Sequence, residues 1–243
     1  MSGERIHFGY DTPAMNFMDG DMIVGANMWH GTSTSDVSSS IGTSGIGVRS
    51  QAAALTASWW SPEGLYASGQ TQYVRLLSDI SADGLSVVKD NEGIGITTSA
   101  ELGYRFTVPL DGMDFEVAPQ AQLVWSHVGF EDFAGLQGEL VSLEDGDLVT
   151  GLLGLSWSGG WQAARGFGRI YGGMNLRGAV DGKTSVDISG VSIVNEQKGL
   201  SVDGKLGFSY EWDEGYAVHG EASAMQHDDV DEIRASLGIR IDF

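Results

Sequence analysis

The 243-residue sequence contains no cysteine. That excludes a disulfide scaffold, a cysteine-based zinc site and a thiol nucleophile. Cations are scarce: 13 Lys and Arg stand against 33 Asp and Glu, a formal charge of −20. Nucleic-acid binding rests on cations that neutralise phosphates, so nucleic acid is not an expected partner. No run of about 18 or more apolar residues appears, so no transmembrane helix is written here. Met1-Ser2-Gly3-Glu4-Arg5 lacks the basic start and apolar core of a signal peptide. The expectation is that the protein stays inside the cell or that an N-terminal part has been cut away. No H-E-x-x-H, G-x-S-x-G or phosphate-cradling glycine loop is present. No catalytic residue, cofactor or metal is therefore assigned.

What is present is alternation. Hydrophobic residues make up 42% of the chain, and they recur at every second position, the signature of strands. In I-G-I-T-T-S-A-E-L-G-Y-R-F, Ile94, Ile96, Ala100, Leu102, Tyr104 and Phe106 share one face. Gly95, Thr97, Ser99, Glu101, Gly103 and Arg105 share the other. V-D-G-K-L-G-F-S-Y-E-W behaves likewise: Val202, Leu206, Phe208, Tyr210 and Trp212 oppose Asp203, Lys205, Gly207, Ser209 and Glu211. Eleven such segments are read, near 4–11, 21–30, 48–60, 64–77, 94–106, 114–128, 148–158, 168–180, 200–212, 216–225 and 232–243. Strands of soluble proteins cluster near 5–6 residues, whereas strands that cross a bilayer at a tilt need about 9–11. These segments fit the second length.

The connections alternate too. Short ones contain Asp19-Gly20, Pro62-Glu63-Gly64, Asp111-Gly112 and Asp213-Glu214-Gly215. Long ones are expected near 31–47, 78–93, 129–147 and 181–199, the last with S-V-D-I-S and V-S-I-V as a possible small hairpin. Short turns on one side and long loops on the other are the habit of outer-membrane barrels. Trp59, Trp60, Tyr66, Tyr104, Phe106, Phe115, Trp157, Trp161, Tyr210, Trp212 and Tyr216 sit beside short turns. Aromatic rings favour the membrane–water boundary, so these are expected to form one girdle, with Tyr73 and Trp125 beginning a second.

A soluble sandwich or lipocalin-like barrel also alternates. There the apolar face is the core, while in a bacterial barrel it faces lipid and the polar face lines the lumen. Strand length, loop asymmetry and aromatic placement favour the barrel. The fold class expected is all-β, a transmembrane antiparallel up-and-down barrel. Its lumen would be lined by Glu101, Arg105, Glu116, Gln120, Gln122, Arg169, Asn175, Arg177, Asp203, Lys205, Glu211, His219, Glu221, Arg234 and Arg240. A register slip would turn Lys205 toward lipid at about 2–4 kcal/mol near the midplane. The lumenal carboxylates are expected to balance lumenal cations rather than to do chemistry. His227-Asp228-Asp229, followed by Asp231 and Glu232, has oxygen ligands of the kind a divalent ion takes; a solvated acidic turn is the preferred reading.

Laid end to end, I-H-F-G-Y-D (6–11), M-I-V-G-A-N-M (22–28), A-E-L-G-Y-R-F (100–106), A-P-Q-A-Q-L-V-W-S (118–126), T-G-L-L-G-L-S-W (150–157) and A-S-L-G-I-R-I-D-F (235–243) resemble the C-terminal β-domain of autotransporters, the type V secretion proteins of Gram-negative bacteria. The resemblance implies twelve antiparallel strands around a narrow pore that holds a helix leading from a secreted passenger. It implies residence in the outer membrane, among lipid and lipopolysaccharide, and a role in moving the passenger to the cell surface. It implies that Leu237, Ile239, Ile241 and Phe243 of the last strand are read by the barrel-assembly machinery. A monomer without catalysis of its own is expected. Eleven strands are counted, not twelve, so the first strand, linker helix and passenger are expected upstream. The alternative is an outer-membrane adhesin or enzyme that acts through its long loops.

Overall fold

The structure, a computed structural model, describes residues 2–39, 42–110, 112–143, 145–196, 199–212, 215–227 and 230–241. Eleven long strands form one antiparallel sheet in which every strand pairs with its neighbour in sequence. They are β1 (Ser2–Asp11), β2 (Gly20–Ser39), β3 (Gly42–Trp60), β4 (Leu65–Ala82), β5 (Leu85–Tyr104), β6 (Met113–Phe130), β7 (Gly146–Ala163), β8 (Gly166–Ile188), β9 (Leu200–Trp212), β10 (Tyr216–His227) and β11 (Val230–Ile241). Short strands attach at the ends: Met15–Phe17 on β2, Phe106–Leu110 on β6, and Leu140–Leu143 and Val191–Glu196 on β8. Eleven strands in up-and-down order leave β1 and β11 running in the same direction. Among the described residues, no rung joins those two edges.

The pleat sorts side chains as alternation predicts. One face of β5 carries a stripe from Ile94 through Ile96, Thr98, Ala100 and Leu102 to Tyr104, and this is the length a tilted strand needs to cross a bilayer. The ladder keeps the stripe continuous, with Leu102 beside Ala67 and Ala121, and Ala121 beside Leu153. Mid-strand leucines on it are open: Leu102 is 55% exposed, Leu153 63% and Leu206 60%. The small buried side chains lie on the opposite face, with Ala52 at 8% and Ala54 at 5%. In a soluble sandwich the leucines would be the buried set. Here the apolar face needs an apolar solvent, and each buried leucine is worth about 1.5–3 kcal/mol.

Three of the four expected long loops are strand instead. β2 and β3 stay paired as far as Ser39 and Gly42. β4 and β5 continue to Asp83-Gly84, whose φ angles of 49° and 79° make the two-residue turn that strand twist favours. Past the apolar stripe these hairpins lose little by staying paired, because their Ser, Thr and Gly residues suit a ladder wetted on both faces. Asp83 fastens the two tips: its backbone N–H donates to the Thr43 carbonyl at 2.8 Å, and its Oδ1 accepts from the Thr43 N–H at 2.8 Å. A register shift lies between Ser78 and Ile80. There Asp79 accepts from the backbone N–H of Asp90 at 2.8 Å, and Arg49 pairs with Asp90 and, at 3.8 Å, with Asp79. At 181–199 the small hairpin is present, with Ser185 opposite Val194 and Ile188 opposite Val191. Among the described residues of the four expected loops, only the segment between β6 and β7 keeps a loop character, with two residues, Phe133–Ala134, pairing with Leu140–Val141.

Two further expectations change. β5 ends at Tyr104, so Arg105 is a connector and Phe106 begins a separate short strand on β6. Trp60 and Tyr66 do not join the aromatic girdle. Successive residues point to opposite faces, so Trp59 takes the apolar side and Trp60 the polar one, with Tyr66 opposite Trp60. The girdle itself contains Tyr104 against Phe106, ring centroids 4.7 Å apart, and Tyr210 against Trp212 at 4.8 Å.

Candidate functional site

The polar face is the candidate site, and the register organises it in rows across the strands. Reading from β6 to β11, one row holds Glu116, Ser158, Tyr171, Gly207, Glu221 and Ser236. Two residues further from the short turns lie Ala118, Ser156, Gly173, Lys205, Ser223 and Arg234. The next holds Gln120, Gly154, Asn175, Asp203, Met225 and Glu232. Beyond it are Glu101, Gln122, Leu152, Arg177 and Ser201. Nearer the short turns come Arg169, Ser209, His219 and Gly238, then Glu211, Ala217 and Arg240. Acid and base lie two residues apart on one strand at Asp203 and Lys205 and at Glu232 and Arg234, about 7 Å along the chain.

That spacing puts long side chains within reach of one another. Asp203 accepts from Asn175 Nδ2 at 2.7 Å and from Arg177 Nη2 at 3.4 Å. Arg240 meets Glu211 at 3.1 Å, and Arg234 meets Glu232 at 2.6 Å. Two tyrosines lie along the rows rather than across them. Tyr66 reaches over β5 to β6, where its hydroxyl donates to Gln120 Oε1 at 3.1 Å, and Glu101 is beside it. The residue it crosses is Gly103, where any Cβ would stand 2.4 Å from the ring. Tyr171 crosses Gly207 in the same way, 2.3 Å from a Cβ placed there, and reaches Glu221. Glycine is required at both positions because the ring occupies the side-chain space.

All of the residues expected to share the polar face do so by register, except Arg105, which belongs to the connector. Its guanidinium still sits over the Tyr66 ring, 5.4 Å from the centroid. Arg105, Glu116, Arg169 and Lys205 line one polar cavity of about 430 Å³, together with Ser156, Ser158 and Tyr171. Tyr66 and Tyr171 are the members that the alternation analysis missed. Their signal is a glycine directly opposite in register, which cannot be read before the strands are aligned.

At the long-hairpin end of the apolar stripe, Arg75 of β4, opposite Ile94 in register, donates from Nε to Glu92 Oε1 at 2.6 Å and from Nη2 to Oε2 at 2.9 Å. This pair holds the Glu92 carboxyl below the usual carboxylate range. Nearby, Asp147 accepts from Trp125 Nε1 at 3.2 Å and lies 3.2 Å from His127 Nδ1. Of the last strand, Leu237, Ile239 and Ile241 stand on the apolar face, the first two 76% exposed. Phe243 and Asp242 lie outside the described residues, as do Asp228, Asp229 and the side chain of His227.

The family model described as the autotransporter beta-domain matches residues 2–223. The adhesin BmaC autotransporter of Brucella suis biovar 1 (strain 1330) is 30% identical over 249 residues, covering 98% of this chain and 7% of that protein. The chain thus spans a small part of that relative's length. Two solved structures share the fold. The transport unit of the autotransporter AIDA-I from Escherichia coli aligns with a TM-score of 0.79 and 17% identity, over 99% of this chain and 82% of the other. The beta domain of the Bordetella autotransporter Brka aligns at 0.67 with 19% identity, over 99% and 90%.

Proposed function

The chain belongs to the autotransporter β-domain family, an outer-membrane translocator, and from that premise we propose that it anchors a longer protein and helps export an N-terminal passenger to the cell surface. The observation that carries the reading is the two-faced sheet. Its mid-strand leucines are open on one side and its polar rows lie on the other, which supports a wall with lipid on one side and a water-filled lumen on the other. The fifteen residues from Glu101 to Arg240 named above line that lumen, and they position and balance charge without catalysis. The last strand, with Leu237, Ile239, Ile241 and Phe243, addresses the chain to the barrel-assembly machinery. Lipid and lipopolysaccharide surround the apolar stripe, and the barrel acts as a monomer.

The barrel is completed by one more strand between β1 and β11. Those edges run parallel to each other, so one antiparallel strand satisfies both, and unpaired edges in lipid are prohibitive. With a strand between them, β1 and β11 are about 9.6 Å apart, beyond disulfide reach. Cysteines placed at Phe8 and Ile239 in the full-length protein should therefore stay reduced under mild oxidant; efficient cross-linking would mean direct closure.

Surface display tests the main reading. With an epitope in the N-terminal part of the full-length protein, removal of residues 2–243 should leave the epitope inaccessible to external protease. Unchanged accessibility would defeat the translocator reading. A second reading, contact with other cells through the projecting hairpins, draws on the length of β2–β3 and β4–β5. Shortening those tips should then abolish adhesion while display persists.

A further inference from the structure

The cations on and beside the polar face fall into two groups. Arg177, Arg234 and Arg240 each have a carboxylate partner, and Arg5 lies over the Trp29 ring, 5.4 Å from its centroid. Arg105, Arg169 and Lys205 have no carboxylate within ion-pair distance among the described residues, although Arg105 lies over the Tyr66 ring, and all three line the same cavity of about 430 Å³. One carboxylate, Glu116, lines it with them. In a chain of net charge −20, three cations without a carboxylate partner among the described residues line this cavity against one carboxylate, a local excess of positive charge, with Glu221 engaged by Tyr171 beside it. Ser156, Ser158 and Tyr171 add neutral hydrogen-bonding groups to the same wall. Arginine offers a planar fork that matches a carboxylate, and lysine a point charge beside it.

We propose that this cavity is a receptor for a carboxylate carried by polypeptide inside the lumen, with Arg105, Arg169 and Lys205 as its binding residues. The inference rests on the translocator reading, because it needs a chain segment beside the polar face. It adds a chemical preference: the segment that halts or rests at this level bears Asp or Glu. The location near the short turns makes it a contact at one end of the pore, not along its whole length. Glu116 opposes the ligand and weakens its binding.

The full-length protein in detergent micelles tests this with fluorescein-labelled hexaglutamate, followed by anisotropy. The net charge of −20 on this chain disfavours the probe, so binding here demands a local site. Arg169→Gln with Lys205→Gln should weaken binding about tenfold or more, since charge-assisted bonds are lost. Arg169→Lys with Lys205→Arg should retain most of it, and Glu116→Gln should tighten it several-fold; both serve as folded controls. Free glutamate at equal carboxylate concentration should compete poorly; strong competition would assign the site to small carboxylates instead of peptide and overturn the proposal. Hexaglutamate that fails to bind, or binds the double Gln variant as well as the parent, would also overturn it. Loss of peptide binding with intact surface display upholds the site and leaves export to other contacts. Loss of display with unchanged peptide binding overturns the site while the translocator reading survives.

Discussion

The polar face has two unlike walls. At mid-strand, β2–β4 present Asn27, Ala52, Ala54, Thr56, Ser58 and Gln72, none of them charged, and Asp21 stands on this face only at the short-turn end of β2. Strands β6–β11 present Glu116, Arg169, Arg177, Asp203, Lys205, Glu211, Glu221, Arg234 and Arg240. The first wall is close-packed at its centre, with Ala52 beneath its neighbour Trp29 in register and Ala54 beside Asn27. The second is held by interleaved rows of charge. The contrast teaches that a polar sheet face has two solutions. It is filled with small neutral side chains, or it is charged and balanced by register. Only the charged wall has residues left over for a ligand.

The largest effect tests whether both walls face away from lipid. Leu206→Arg, one position from Lys205, should cost about 2–4 kcal/mol and abolish the heat-modifiable folded band on a gel, while Lys205→Arg leaves it intact. If Leu206→Arg inserts normally, the two faces have been exchanged. Next come the tyrosine crossings, one in each half. Gly103→Ala and Gly207→Ala should each lower stability by about 1–3 kcal/mol through displacement of Tyr66 or Tyr171, read as a fall in the urea midpoint in lipid vesicles. Equal, negligible shifts would mean that the rings move freely. A smaller difference separates the walls themselves. Asp203→Ala strands Arg177 and Asn175 and should cost about 1 kcal/mol. Thr56→Ala on the neutral wall should stay within about 0.5 kcal/mol. Comparable losses would erase the distinction.

The smallest effect lies outside both walls, at Arg75 and Glu92. Hydrogen bonds from Arg75 hold the folded Glu92 below its ordinary range, so its contribution is present above the ordinary carboxylate pKa. It is lost as pH falls through the folded value. Arg75→Gln should remove that slope from the acid limb of the unfolding midpoint. An unchanged acid limb would show that the exposed pair is screened to nothing.

Much of this was legible in alternation. Lys205 between Gly204 and Leu206, or Glu101 between Ala100 and Leu102, needs only the pleat to be assigned a face, because a one-residue slip moves every side chain at once. The hairpin tips were less legible. Asp83-Gly84 is a two-residue turn signal, yet its polar flanks lack the hydrophobic pattern that marks a strand, so the segment reads as loop. Trp60 was misassigned because nearness to a turn says nothing of side, and Arg105 because the run of alternation continues past the true strand end.

By itself the sequence determined which residues share a face, the number of long strands, and that the apolar face is long enough to cross a bilayer. Those follow from local periodicity and the cost of a charge in lipid. Tertiary structure alone decided which rows align. Tyr66 crosses Gly103 to Gln120, Asp203 meets Arg177, and Arg105, Arg169 and Lys205 converge on one cavity. These partners lie on different strands. Their meeting depends on register between segments, which no single strand's pattern contains.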